Sequence, residues 1–161
     1  TVPNLVVVPV HDGKVTFYNR NGTLDLIADI AGYFTLSGKG SLYEPLTPTR
    51  LMDTRSGTGA PKAKIGADRT VSLTVAGRGG VPAEGVTAVV LNVTATNATA
   101  ATFVSAYPYG TTRTSASHLN VTAGQTVPNL VVVPVHDGKV TFYNRNGTLD
   151  LIADIAGFYG P

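Results

Sequence analysis

The chain lacks cysteine and tryptophan, has one methionine, and carries few charges, since only 14% of its 161 residues are Asp, Glu, Lys or Arg. Without cysteine, neither a disulfide scaffold nor a thiolate metal site can form. Low charge combined with 18 Gly and 10 Pro excludes a long coiled coil. The net charge of +2 comes without a basic stripe, so we expect no nucleic-acid partner. A hydrophobic fraction of 43% indicates a folded chain.

Long hydrophobic runs are also missing. The longest aliphatic stretch, residues 5–10, is interrupted by Pro9 and is far shorter than the roughly 20 residues that a membrane-spanning helix needs. No segment has the pattern of a signal peptide. We therefore expect no membrane span, and a secretion signal would lie outside this sequence.

What the sequence does contain is a long internal repeat. Residues 1–32, TVPNLVVVPVHDGKVTFYNRNGTLDLIADIAG, recur unchanged at 126–157. The two copies begin 125 positions apart, which is the length of a domain, whereas solenoid repeats span only about 20–50 residues. The period indicates a slice through a tandem array, although the duplication could instead reflect only where the coding segment was cut. In the array interpretation, residues 1–35 close a preceding unit or serve in strand exchange, 36–42 form a linker, and 43–161 form a complete unit.

The local patterns are those of strands and tight turns. Asp12-Gly13 and Asn21-Gly22 are hairpin-turn signals, so each copy of the repeat is predicted to form a three-stranded meander. Further strand candidates lie at 71–75, 89–94, 103–107 and 118–121, and residues 54–70 are predicted to form a long ordered loop. We predict an all-β fold, a jelly-roll-like antiparallel β-sandwich of about eight strands per unit, with an extra N-terminal three-stranded meander.

The duplication predicts competition for one place in the fold. The strands of 46–121 need a single meander, whereas the chain supplies two identical ones, and the sequence does not decide which of them is used. The unused copy would expose a strand-forming apolar run and could pair with a neighbouring molecule, giving a head-to-tail polymer. The predicted assembly strands are centred on Val6, Val7 and Val8 and on their copies Val131, Val132 and Val133.

The string R50-L-M-D-T-R55 is the most distinctive charged motif. Two guanidinium groups flank Asp53, and Arg50 and Arg55 could together grip a carboxylate or a phosphate group. The favoured interpretation is a fixed internal ion-pair network that also includes Asp154, because a buried aspartate on the last apolar strand needs a compensating charge.

Signals for catalysis are weak. His11 and His136 are the same repeat position beside an Asp-Gly turn, and a His-Asp pair in a Ser-rich and Thr-rich chain is a weak indication of a catalytic triad. No standard hydrolase, metalloprotease or calcium-loop motif occurs. We therefore predict no catalytic residues, no metal site and no cofactor.

A ligand surface is more plausible than an active site. Tyr107, Tyr109, Arg113 and His118 bring aromatic rings and a cation into one loop region, which suits binding to a polysaccharide in outline. The alternative is that this turn simply packs on its own sandwich.

Several strings resemble a repeat common in secreted actinobacterial proteins. The matching residues are L46-T-P-T-R-L-M-D-T-R55, V86-T-A-V-V-L-N-V-T94, A123-G-Q-T-V-P-N-L-V-V-V133 and A153-D-I-A-G-F-Y159. In that family a unit opens with R-L-x-D-T-R and closes with a D-x-x-G-Y-F-like strand. The resemblance covers nearly all of 43–159 and all of 1–34, and the closing Phe158-Tyr159 inverts the usual order. It implies a secreted or cell-surface accessory domain without an assigned active site.

Together these features predict an extracellular, non-catalytic structural or assembly module that associates with itself or with neighbouring repeats. The alternative is a carbohydrate-binding module for cell-wall or environmental polysaccharide.

Overall fold

A computed structural model describes all 161 residues and contains eight strands and no helix. The strands are β1 (Leu42–Asp53), β2 (Arg69–Thr74), β3 (Ala88–Thr96), β4 (Thr102–Pro108), β5 (Leu119–Val121), β6 (Val127–Pro134), β7 (Lys139–Asn144) and β8 (Asp150–Gly160). They form two four-stranded antiparallel sheets, ordered β1-β8-β3-β6 and β2-β7-β4-β5. The predicted all-β sandwich of eight strands is confirmed. No helix that could span a membrane is present.

The core lies between the two sheets, and the period-two pattern of the strands explains it. Val89, Leu91 and Val93 on β3 are buried on the inner face, because alternate side chains of a strand point to the same side. Phe142 on β7 approaches from the opposite sheet and is the largest fully buried side chain. The apolar face of each sheet therefore covers that of the other.

The closing strands β6, β7 and β8 do not form the predicted meander. β6 pairs with β3, β7 pairs with β2 and β4 in the other sheet, and β8 returns to the first sheet between β1 and β3. The Asp-Gly turn is present, but only a single bridge, His136 to Lys139, joins its two sides. Crossing between sheets puts the apolar faces of all three strands into one core, whereas a flat meander would leave one face uncovered.

The predicted N-terminal three-stranded meander is also wrong. Residues 1–41 contain no strand, and their only bridge joins His11 to Lys14 across the turn. Val6 and Val8 are 60% and 43% exposed, whereas their copies Val131 and Val133 are each 1% exposed. A strand is stable only when it pairs with neighbouring strands. The C-terminal copy already pairs with β1 to β4, so the identical N-terminal copy has no strand left to pair with. The sequence did not decide which copy completes the core, and the structure shows that it is the C-terminal one.

Candidate functional site

The R-L-M-D-T-R motif ends β1 at a β-bulge. The pairing of β1 with β8 shifts register between Arg50 and Met52, and the turn that follows places three backbone N–H groups on the Asp53 carbonyl oxygen. The Asp53 carboxylate accepts hydrogen bonds from Arg55 at its backbone N–H (3.0 Å), Nε (2.9 Å) and Nη2 (2.7 Å). Arg50 Nη1 donates to Asp53 Oδ2 at 3.4 Å, the oxygen that also accepts from Arg55 Nη2. These contacts, above all those of Arg55, lower the pKa of Asp53 to about 2 although burial opposes the shift.

Arg50 is held by a second carboxylate across the sheet. Its Nε and Nη2 donate to the two oxygens of Asp154 at 2.8 and 3.1 Å, a two-pronged contact between residues that face each other in the β1–β8 pairing. The structure thus brings Arg50, Asp53, Arg55 and Asp154 together. The prediction that Asp154 is buried is wrong, because its side chain is on the outer face of β8 and is 25% exposed. Both arginine forks are engaged internally, which favours a structural role over anion binding.

A second buried carboxylate, Asp150, was not anticipated. It starts β8, accepts from Thr54 Oγ1 at 3.1 Å and from Asn97 Nδ2 at 2.9 Å, and lies 3.9 Å from Lys64 Nζ. Thr54 in turn accepts the backbone N–H of Leu151. This network fastens the loop after β1 to the start of β8. The available signal was a lone aspartate at the head of an apolar strand, just after an Asn-Gly turn.

Acid should weaken the fold through Asp53. Its folded pKa of about 2 lies below the ordinary value of 3.8, so its contribution is complete above about pH 5 and is lost progressively as the pH falls toward about 1. The shift corresponds to about 2 kcal/mol. Denaturant unfolding of the native protein and of Asp53→Asn at pH 7 and pH 2.5 should show a stability difference that shrinks at the lower pH. A constant difference would contradict this account.

Three of the four residues proposed for ligand binding contact residues outside the predicted set. The Arg113 guanidinium lies 4.3 Å from the ring centre of Tyr143, outside the predicted set. The Tyr109 ring is next to Lys139 Nζ, 4.9 Å from the ring centre. His118 accepts the backbone N–H of Ala106 through Nδ1, and burial lowers its pKa. Tyr107, on β4, is half-buried and makes none of these contacts.

Arg113 contacts a cluster on the sheet of β2, β7, β4 and β5 that the sequence did not predict. The Tyr143 hydroxyl donates to Asp68, which lowers the pKa of that carboxyl, and Arg145 Nη1 donates to the same Asp68 oxygen at 2.8 Å. Phe103 lies beside Tyr143, with 6.1 Å between ring centres. The polar groups satisfy one another, so this cluster ties β7 to the loop before β2.

The closing segment, defined as residues 126–160, is the structural centre of the sandwich. It supplies β8 between β1 and β3, β7 between β2 and β4, and the edge strand β6. Its copy, here called the N-terminal copy (residues 1–35), has the same sequence over 1–32 but no partner strands. One sequence therefore exists in two environments within one chain.

No group of three or more His, Asp or Glu side chains is arranged to hold a metal ion. No family model, curated protein or solved structure matches the chain.

Proposed function

We propose that this protein is an extracellular, non-catalytic structural module that assembles head to tail when the N-terminal copy of one molecule occupies the closing-segment position of another molecule or unit. The exposure of the N-terminal copy carries the proposal. Val6 is 60% exposed and Phe17 is 52% exposed, whereas their counterparts Val131 and Phe142 are almost fully buried. The resemblance to repeats of secreted actinobacterial proteins supports the extracellular location.

Exchange of this kind needs no new interface. The N-terminal copy has every inward side chain that residues 126–157 use in the core, so the contacts formed in the recipient equal those displaced. Such exchange of identical elements is a low-cost route to oligomers, and its extent is set by concentration and by the connecting loops. An exposed apolar strand former also associates readily at sheet edges.

We expect light scattering to report oligomers whose mass grows with protein concentration. The register can be tested with cysteines, because the chain has none of its own. Asn92 faces Leu130 across β3 and β6, and Leu5 is the copy of Leu130. Mixing the Asn92→Cys protein with the Leu5→Cys protein should give an intermolecular disulfide, since directly opposed strand residues lie within disulfide range.

Asn4→Cys is the matched control. Asn4 copies Asn129, which faces Val93 and not Asn92, so its cysteine would lie on the other face of the strand. A monomer at every concentration, with equal cross-linking of Leu5→Cys and Asn4→Cys, would contradict the assembly proposal.

Carbohydrate binding is the competing function. The half-exposed rings of Tyr107 and Tyr109 support it, but Lys139 already lies against the Tyr109 ring. A glycan array on the native protein distinguishes the two functions. Binding that Tyr107→Ala and Tyr109→Ala abolish would favour the carbohydrate module, whereas the structural module requires none.

A further inference from the structure

The pairing of β1 with β8 brings the two copies into competition inside a single chain. Leu42 at the start of β1 faces Gly160 at the end of β8, and Tyr43 faces Tyr159. In the N-terminal copy, the residues equivalent to 159 and 160 are Phe34 and Thr35. If this copy took the place of β8, Thr35 would face Leu42, and residues 36–41 would connect them as an ordinary hairpin loop.

We propose that residues 1–35 can complete the sandwich of their own chain, so that the protein has a second, circularly permuted fold in which 126–161 is the free segment. Residues 2–9 would replace β6, 14–19 would replace β7, and 25–35 would replace β8, with β1 to β5 unchanged. The inference concerns one molecule and does not depend on assembly.

The end of the N-terminal copy already lies beside the position it would take. The Phe34 ring is 6.5 Å from the ring of Tyr159, and Tyr159 is 5.3 Å from Tyr43, its partner on β1. Gly38 and Gly40 in the connecting segment have positive φ angles of 65° and 142°, conformations that glycine adopts readily where the chain turns.

The N-terminal copy differs from the closing segment only at residues 33–35, and these residues are also compatible with the position of β8. Gly157 has no room for a Cβ, which would lie 2.5 Å from the Tyr43 ring, and the copy keeps glycine at 32. Thr35 replaces Gly160, where an added Cβ would meet the Phe158 ring at 3.2 Å. That ring becomes Tyr33 in the copy, and as a movable side chain it can give by the few tenths of an ångström required.

The two folds therefore differ mainly in their connections. The described fold closes the loop from β5 to β6 through residues 122–126, where Thr122 and Gln125 form a hydrogen-bonded turn and Gly124 donates to Ala98. The permuted fold opens that loop and closes residues 36–41. Loops of such similar length cost similar closure entropy, so the turn at 122–125 sets the preference for the C-terminal copy.

Charge substitutions in the full chain test this directly. Phe142→Asp places a carboxylate in the core and should expel the closing segment, after which Phe17 takes the place of Phe142. In dilute solution, Phe142→Asp should be a cooperatively folded monomer. Phe17→Asp should leave the described fold unchanged, and the double variant should lose cooperative unfolding altogether.

Cysteine pairs identify which copy is bound. In the Phe142→Asp background, Leu5→Cys with Asn92→Cys should form a disulfide within one monomer, whereas in the Phe17→Asp background only Leu130→Cys with Asn92→Cys should do so. Unfolding of Phe142→Asp to the same extent as the double variant would overturn the inference. A Phe142→Asp protein that folds only as a cross-linked oligomer would also overturn it, while supporting assembly between molecules.

Discussion

Replacing Asp53 by alanine should lower the free energy of unfolding by about 3 kcal/mol, the low end of the range for breaking a buried ion pair. The Asp53 side chain is only 7% exposed and accepts from Arg55 at three positions, one of them a backbone N–H. Its removal leaves these donors without their acceptor at the end of β1. Arg50 and Arg55 are 46% and 45% exposed, so water partly solvates them and limits the loss.

Urea denaturation monitored by tyrosine fluorescence measures this effect, and Glu84→Ala is the matched control. Glu84 is exposed in the loop between β2 and β3 and does not have a positive φ angle, so its loss should change the stability by less than about 0.5 kcal/mol. If the two alanine variants were equally stable, the Arg50-Asp53-Arg55 network would contribute nothing to the fold.

The strands of the unique region could be predicted from their alternation. Val89, Leu91 and Val93 alternate with Val90, Asn92 and Thr94, and the structure buries the first series in the core of the sandwich. Such a pattern specifies which face of the strand is buried in the core, and every strand in either sheet of a sandwich needs one buried face. The fold class therefore follows from the sequence.

The partner of each strand could not be predicted in the same way. The Asp-Gly and Asn-Gly signals correctly mark turns, but a turn fixes only where the chain reverses and not whether its two arms pair. After Pro134 the chain crosses to the other sheet, and β7 finds β2 and β4. These partners lie far away in sequence, and no local signal identifies them.

Part of the site was within reach of the sequence pattern. Leu151, Ala153 and Ile155 are the inward residues of β8, which places Asp154 on the opposite, outer face. The same alternation would have identified Asp154 as the exposed end of the network. Asp150 is different, because its burial depends on Thr54 and Asn97 from distant loops.

The identical copies show most directly that local sequence does not determine structure here. Residues 6–8 and 131–133 have the same side chains, yet only the second set belongs to a strand. A strand is stable only where neighbouring strands satisfy its backbone and cover its apolar face. Whether a copy forms strands therefore depends on whether it occupies the closing-segment position of the sandwich, which its own sequence does not decide.

The same duplication should make two chemically identical core truncations behave differently. Leu91→Ala should cost about 3 kcal/mol, because Leu91 is fully buried between Val131 and Ile155 and occurs in a region without a second copy. Leu151 is equally buried, but Leu26 is its intact copy. If residues 1–35 can close the sandwich, Leu151→Ala should lower the free energy of unfolding by less. The N-terminal copy, with its intact Leu26, can then replace the segment that contains the cavity.

Equilibrium urea denaturation of dilute protein separates these cases. Leu91→Ala should show the full cavity cost, Leu151→Ala should show a loss limited to the free-energy gap between the two folds, and Leu26→Ala should leave stability unchanged. The double variant Leu26→Ala/Leu151→Ala removes the escape and should restore a loss of about 3 kcal/mol. Equal losses in Leu151→Ala and in the double variant would mean that the N-terminal copy never enters its own core. Such non-additivity between residues 125 positions apart in sequence cannot arise from direct contact, because the two leucines alternate in one position and never occupy it together.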